Sequence, residues 1–161
     1  MTVTTSVSSS TTRTTVHTHW RGGQRYEVAR DDGPPITIDG DRIAGPGPVD
    51  TLLGALAACS SMDVVEYLAK RRTPVEELHI VVDAERRATA PRRVLSARVT
   101  FHLRGDAIEH AHATRAIALA MQTYCSVASS LAPDLVIETR LILNDDDTSP
   151  VVRQHVAPVN A

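Results

Sequence analysis

The run TLLGALAAC at 51–59 is apolar nearly all the way round a helix. A helix without a polar face has to be buried, so this segment predicts a central core helix and not a surface one. Gly45-Pro46-Gly47-Pro48 ends the structure before it and opens the helix, proline being favoured near a helix start. The continuation VVEYLAKRR turns amphipathic and closes on basic residues, which suit a helix C-terminus, so the helix runs from Pro48 to about Arg72. With aromatics at 3% of 161 residues, the core around it must be built from Val, Leu, Ile and Ala.

The flanking segments read as strands and shorter helices. Val16, Thr18 and Trp20 alternate with His17 and His19, and Gly22-Gly23 marks a turn. Tyr26 and Val28 alternate next, Asp32-Gly33-Pro34-Pro35 turns again, and Ile36 and Ile38 lead to Asp39-Gly40. This is a meander of half-buried strands. After Pro74 the period is two again. Leu78, Ile80 and Val82 share one face, and Leu95, Ala97, Val99, Phe101 and Leu103 share another, which predicts an antiparallel hairpin around Thr89-Ala90-Pro91. Helical spacing returns from about Ala107 to Thr123, a short helix follows over Ser126 to Leu131, and Leu135, Ile137, Leu141 and Leu143 make a last strand. Strands group with strands, so the fold class is α+β and not a doubly wound α/β sheet.

The length fits one domain, expected over 15–144. Residues 1–14 are a Ser/Thr-rich tail expected to be disordered, and 145–161, charged and then broken by proline, read as a second loose tail in which Val151 and Val152 are candidates for docking. The opening MTVTTSVSSSTTRTT has neither a basic n-region nor an apolar h-region, and the apolar stretch Leu52 to Cys59 is short for a bilayer span. A cytoplasmic location and no membrane partner are the expectation. A formal net charge of −2 without basic clusters speaks against nucleic acid and leaves a small molecule or another protein as partner.

In a reducing compartment, two cysteines are reactive, metal-binding or buried rather than a structural disulfide. Cys59 lies within the buried helix and Cys125 at the junction of two helices, where a helix N-terminus favours a thiolate. Each taken alone also reads as a small core residue. As a pair they carry the chemistry of peroxide reduction: thiolate attack, sulfenic acid, then condensation to a disulfide. Their spacing leaves the order of roles open.

The segments GPGPVDTLLGALAACSSMDVVEYLAKRRTPVEEL and TYCSVASSL, with the opening hairpin HWRGGQRYEV, resemble the OsmC/Ohr family of thiol peroxidases and related redox proteins over about 15–143. The resemblance implies an intertwined homodimer, with antiparallel sheets around long buried central helices and active sites at the dimer interface. It implies reduction of organic hydroperoxides by Cys59, resolution by Cys125 and re-reduction by a dithiol such as a lipoylated protein, in oxidative stress defence and without a cofactor.

It also implies an arginine from the first hairpin and an acid before the central helix. Arg25 is the choice for the first, with Arg21 as runner-up. Asp50 is the candidate acid, one residue from the family's glutamate position, which is Val49 here. Nine residues before Cys59 on an unbroken helix is about 2.5 turns, which sets Asp50 opposite the thiol, so first-turn capping is its other reading. Asp63, four after Cys59, shares its helical face and is expected to pair with a base such as Arg25. Ser126 stands where those peroxidases tend to have proline. His17 and His19 share a strand face that a metal could use and His110 and His112 diverge on a helix, but neither pair comes with Cys at zinc-finger spacing, so no metal site is expected. A dimeric binding protein of the same fold, or a redox sensor, is the alternative to the enzyme.

Overall fold

The structure, a computed structural model, describes residues 11–147 and 152–155. It forms two compact units, one reaching to Thr51 and one beginning at Leu52. Of the expected N-terminal tail, 1–10 lie outside the described residues, and 11–14 carry no helix or strand.

The first unit is the expected meander: β1 (His17–Trp20), β2 (Arg25–Ala29) and β3 (Ile36–Asp39), paired antiparallel in that order. The turn between β1 and β2 needs its two glycines, because Gly22 and Gly23 sit at φ of 95° and 56°. The Trp20 indole N–H donates to the Gly23 carbonyl at 2.9 Å across the same turn. β3 ends at Asp39, which is buried. Its carboxylate accepts N–H groups from Asp41, Ile43 and Ala44 at 3.0, 3.3 and 2.9 Å, organising the loop that leads into the helix. The Ala44 N–H above all, with the other two and the Arg25 charge across the strand pair, holds this carboxyl below the usual range.

The long helix α1 (Pro48–Lys70) starts where the proline signal places it. Gly47 precedes it, Pro48 takes the first helical position, and the Asp50 carboxylate reaches back to the Gly47 N–H at 2.9 Å, the return half of a capping box. Its C-terminus closes with Thr73 N–H on the Leu68 carbonyl at 3.1 Å and Arg72 N–H on Ala69 at 2.9 Å. That is a Schellman pattern with Arg72 at φ 62°, the left-handed position that favours glycine. Arg72→Gly is expected to stabilise the fold by about 1 kcal/mol, read from the denaturant midpoint at constant slope.

The second unit holds α1 from Leu52 onward, β4 (Glu77–Arg86), β5 (Val94–Arg104), α2 (His110–Leu119), a π-helical turn (Ala120–Tyr124), α3 (Ser126–Ser129), β6 (Val136–Leu143) and β7 (Val152–His155). The sheet order is β4-β5-β6-β7. β4 and β5 are the expected antiparallel hairpin. β6 runs parallel to β5, because the α2–α3 segment carries the chain back before it re-enters the sheet. The expected helix to Thr123 is regular only to Leu119, and the π turn takes the rest. β7 corrects the C-terminal tail: Val152–His155 pairs antiparallel with β6, while 148–151 and 156–161 lie outside the described residues.

The core joins the inner faces of β5 and β6, led by Phe101, Leu103 and Ile137, to one stripe of α1, Leu56, Ser60, Val64 and Leu68. The burial expected all round the 51–59 run is not met within one chain, where Gly54, Ala55 and Ala58 are exposed besides Leu52. Leu52, Met62 and Val65 stand 42%, 70% and 39% exposed. A single four-stranded sheet covers one side of a helix and leaves the other uncovered. By length and composition α1 is apolar enough to cross a membrane, a test that core helices also pass.

Candidate functional site

Both cysteines are free thiols in the second unit. Cys59 is half-buried on α1 and packs against the core cluster, one residue before the buried Ser60. The Ser60 hydroxyl donates back to the Leu56 carbonyl at 2.9 Å, so a polar side chain is accommodated inside the apolar stripe. Cys125 is 1% exposed. It follows the π turn, where its own N–H donates to the Ala120 carbonyl at 2.8 Å, a five-residue span. It is then the N-cap of α3, and its sulfur accepts the Ala128 N–H at 3.3 Å.

The Cys125 thiol is pushed up to about 11. Burial is the main cause. The Ala128 and Val127 N–H groups pull the other way, and the neighbouring Cys59 thiol, a second acidic group, pushes it further up. The structure therefore places Cys59 against the core cluster that holds Cys125, near enough for each thiol to feel the other, with Cys125 held as a thiol. The sequence expectation of a thiolate favoured by the helix terminus is outweighed by burial.

This raised value makes a stability prediction. The folded protein keeps the Cys125 proton to about pH 11, while the unfolded chain releases it near 9. Protons are then bound more strongly by the native state, so stability falls as pH rises through that window, by up to about 1.4 kcal/mol per unit. Urea unfolding of wild type against Cys125→Ala between those pH values checks it, the alanine variant lacking this component of the slope.

Arg25 and Asp50 lie in the first unit and have partners there. Arg25 is exposed on β2, opposite Asp39. The Asp50 carboxylate takes Arg42 Nε at 2.6 Å and Nη2 at 3.0 Å besides the Gly47 N–H. The capping reading of Asp50 thus has direct geometry, and Arg42, which the sequence reading passed over, is its arginine. No motif announces Arg42, since eight residues and an irregular loop separate the two. Arg21, the runner-up, pairs with Glu27 at 2.7 Å. Asp63 is half-buried and makes no ion pair among the described residues, so the base expected for it is not found.

Among the described residues no group of three or more His, Cys, Asp or Glu is arranged to hold a metal ion. His17 instead pairs with Asp31 at 2.6 Å, and His112 Nε2 faces Arg71 Nη2 at 2.6 Å.

Residues 39–140 match the OsmC-like protein family. Protein YhfA of Escherichia coli K12 is 33% identical over 113 residues, 70% of this chain and 84% of that protein. Among solved structures, an OsmC-like protein from Mycoplasma pneumoniae superposes with a TM-score of 0.70 at 15% identity, covering 82% of this chain and 97% of that one. An organic hydroperoxide resistance protein OsmC from Legionella pneumophila superposes at 0.57 and 15% identity, covering 83% and 98%. These likenesses to solved structures carry the fold. The family match and the extent of the YhfA identity carry membership: this chain belongs to the OsmC-like protein family, whose fold it has and whose redox and peroxide-related functions it is to be read against.

Proposed function

We propose that the protein is a dithiol-dependent peroxidase for organic hydroperoxides. The observation that carries this is a pair of free thiols in one core cluster, Cys59 half-buried and Cys125 fully buried and held as a thiol. Of the two, Cys59 is the partly exposed residue, so it takes the attacking role. Its thiolate attacks the terminal oxygen of the hydroperoxide, the O–O bond breaks, and with one proton the products are Cys59 sulfenic acid and an alcohol. Cys125 then attacks the sulfenic sulfur. The S–S bond forms, and the sulfenic hydroxyl leaves with the Cys125 proton as water. A dithiol returns both cysteines to thiols and is itself oxidised to a disulfide.

The supporting role for Arg25, holding the thiolate, and for Asp50, as the family's acid, belongs to this proposal too. So does a homodimer: the uncovered apolar side of α1, with Leu52, Met62 and Val65 exposed, is surface that a second copy would bury. A cytoplasmic location would keep both thiols reduced between turnovers.

The test is intact mass and free-thiol count before and after one equivalent of cumene hydroperoxide. Loss of both thiols with a two-hydrogen mass decrease supports the peroxidase. Survival of both in excess peroxide overturns it and leaves a binding protein of the same fold.

A further inference from the structure

The second unit carries a feature on the outer face of its sheet, away from the core, that the thiol chemistry does not use. His79 on β4 and His102 on β5 are directly paired across the strands. Their ring centres are 5.6 Å apart with the planes tilted by 44°. Their neighbours on the strands, Ile80 and Phe101, belong to the core side, so both imidazoles stand on the opposite face. His79 is exposed and His102 half-buried. Among the described residues, the one interaction of either ring is with the other. In this they differ from His17 and His112, whose Nε2 atoms are engaged by Asp31 and Arg71.

We propose that His79 and His102 form a two-histidine site for a borderline divalent transition cation of the Zn2+ or Cu2+ type. Imidazole nitrogen is the donor such ions favour. An ion ~2.1 Å from one nitrogen of each ring lies ~3.2 Å from each ring centre. Ring centres 5.6 Å apart then subtend an angle of about 120° at the ion. That is near the tetrahedral angle, so small rotations about the side-chain bonds complete it, and water fills the remaining positions. The surroundings do not repel a cation. The two rings line an open depression with Glu77, Arg104, Ile142 and Asp145. The one arginine there is paired with Asp145 at 2.5 Å and faces Glu77 at 3.8 Å. Two ligands fixed on one rigid hairpin make the second bond intramolecular, which is what lets two histidines hold an ion that one would not.

The experiment is Zn2+ titration of the full-length, untagged, reduced protein by calorimetry, with the histidine ring resonances followed by NMR. One Zn2+ per chain is expected, perturbing His79 and His102. His79→Ala and His102→Ala should each weaken that binding about tenfold or more, and the double variant no further. His79→Gln and His102→Gln, which keep a polar side chain on this face, should behave as the alanine variants do if those fail to fold. Absence of zinc binding up to millimolar concentration overturns the proposal. So does binding that survives the double substitution or that disappears in Cys59→Ser, because the ion would then sit elsewhere or on the thiols.

Discussion

Cys59→Ser is expected to abolish peroxide-driven oxidation, lowering the rate of hydroperoxide consumption about a thousandfold or more, a loss of ~4 kcal/mol of transition-state stabilisation. The serine hydroxyl is not a thiolate and cannot take an oxygen atom. Cys125 does not replace it, being 1% exposed and held as a thiol to about pH 11. Its free-thiol signal should therefore persist in Cys59→Ser under excess peroxide. Cys125→Ser should behave differently: the first turnover proceeds, the sulfenic acid finds no resolving thiol, and mass spectrometry shows one added oxygen, then two as exposure continues. Stopped-flow consumption of cumene hydroperoxide with a dithiol donor, beside intact mass, reads both variants. Oxidation of Cys125 in the Cys59→Ser protein at a rate near wild type would reverse the two roles.

The contrast between the cysteines is what the sequence could not supply. Both sit on helices, and either could be read as the reactive one. The difference arises from packing: Cys125 is sealed under the turn that joins the π segment to α3, and Cys59 is only partly covered on α1. Burial of that kind depends on residues distant in sequence, so no local pattern reports it. The same holds for Asp50. Its position in the first turn suggested a cap, and the Gly47 N–H shows the cap, but the partner Arg42 comes from a loop with no periodicity to read.

Most of the architecture was legible because it is written in periods. Alternation placed β1 to β6 and the all-round apolar run placed α1. Three features escaped for physical reasons. The π turn differs from an α-helix by one residue in its hydrogen bonding, which hydrophobic spacing does not resolve. β7 pairs by backbone groups with β6, in a segment whose charge and prolines argue for a tail. The register of the β4–β5 hairpin is a matter of one residue. A pairing centred on Ala90 sets His79 against Phe101, and the observed one sets it against His102, so the histidine pair becomes visible only with the structure. The exposed side of α1 is informative in the opposite way: the sequence asks for burial all round, and one chain does not provide it.

Phe101→Ala is expected to be the most damaging substitution in the core, costing about 3–5 kcal/mol. The residue is the only phenylalanine in the chain and fully buried in β5. It pairs with Ile80 on one side and Leu141 on the other, so its ring spans three strands in the layer that meets the Leu56–Val64–Leu68 stripe. The strand neighbours are branched aliphatic side chains, which relax little into such a space. A loss of that size is a large part of the stability of an ordinary domain. The midpoint of urea unfolding should shift without a change in slope. Peroxide consumption per folded molecule, measured well below the new midpoint, should fall far less than in Cys59→Ser, since the ring supports the layer under α1 and takes no part in the thiol chemistry. A shift below about 1 kcal/mol would mean that the sheet layer closes over the cavity, and that α1 is held chiefly by contacts other than this core.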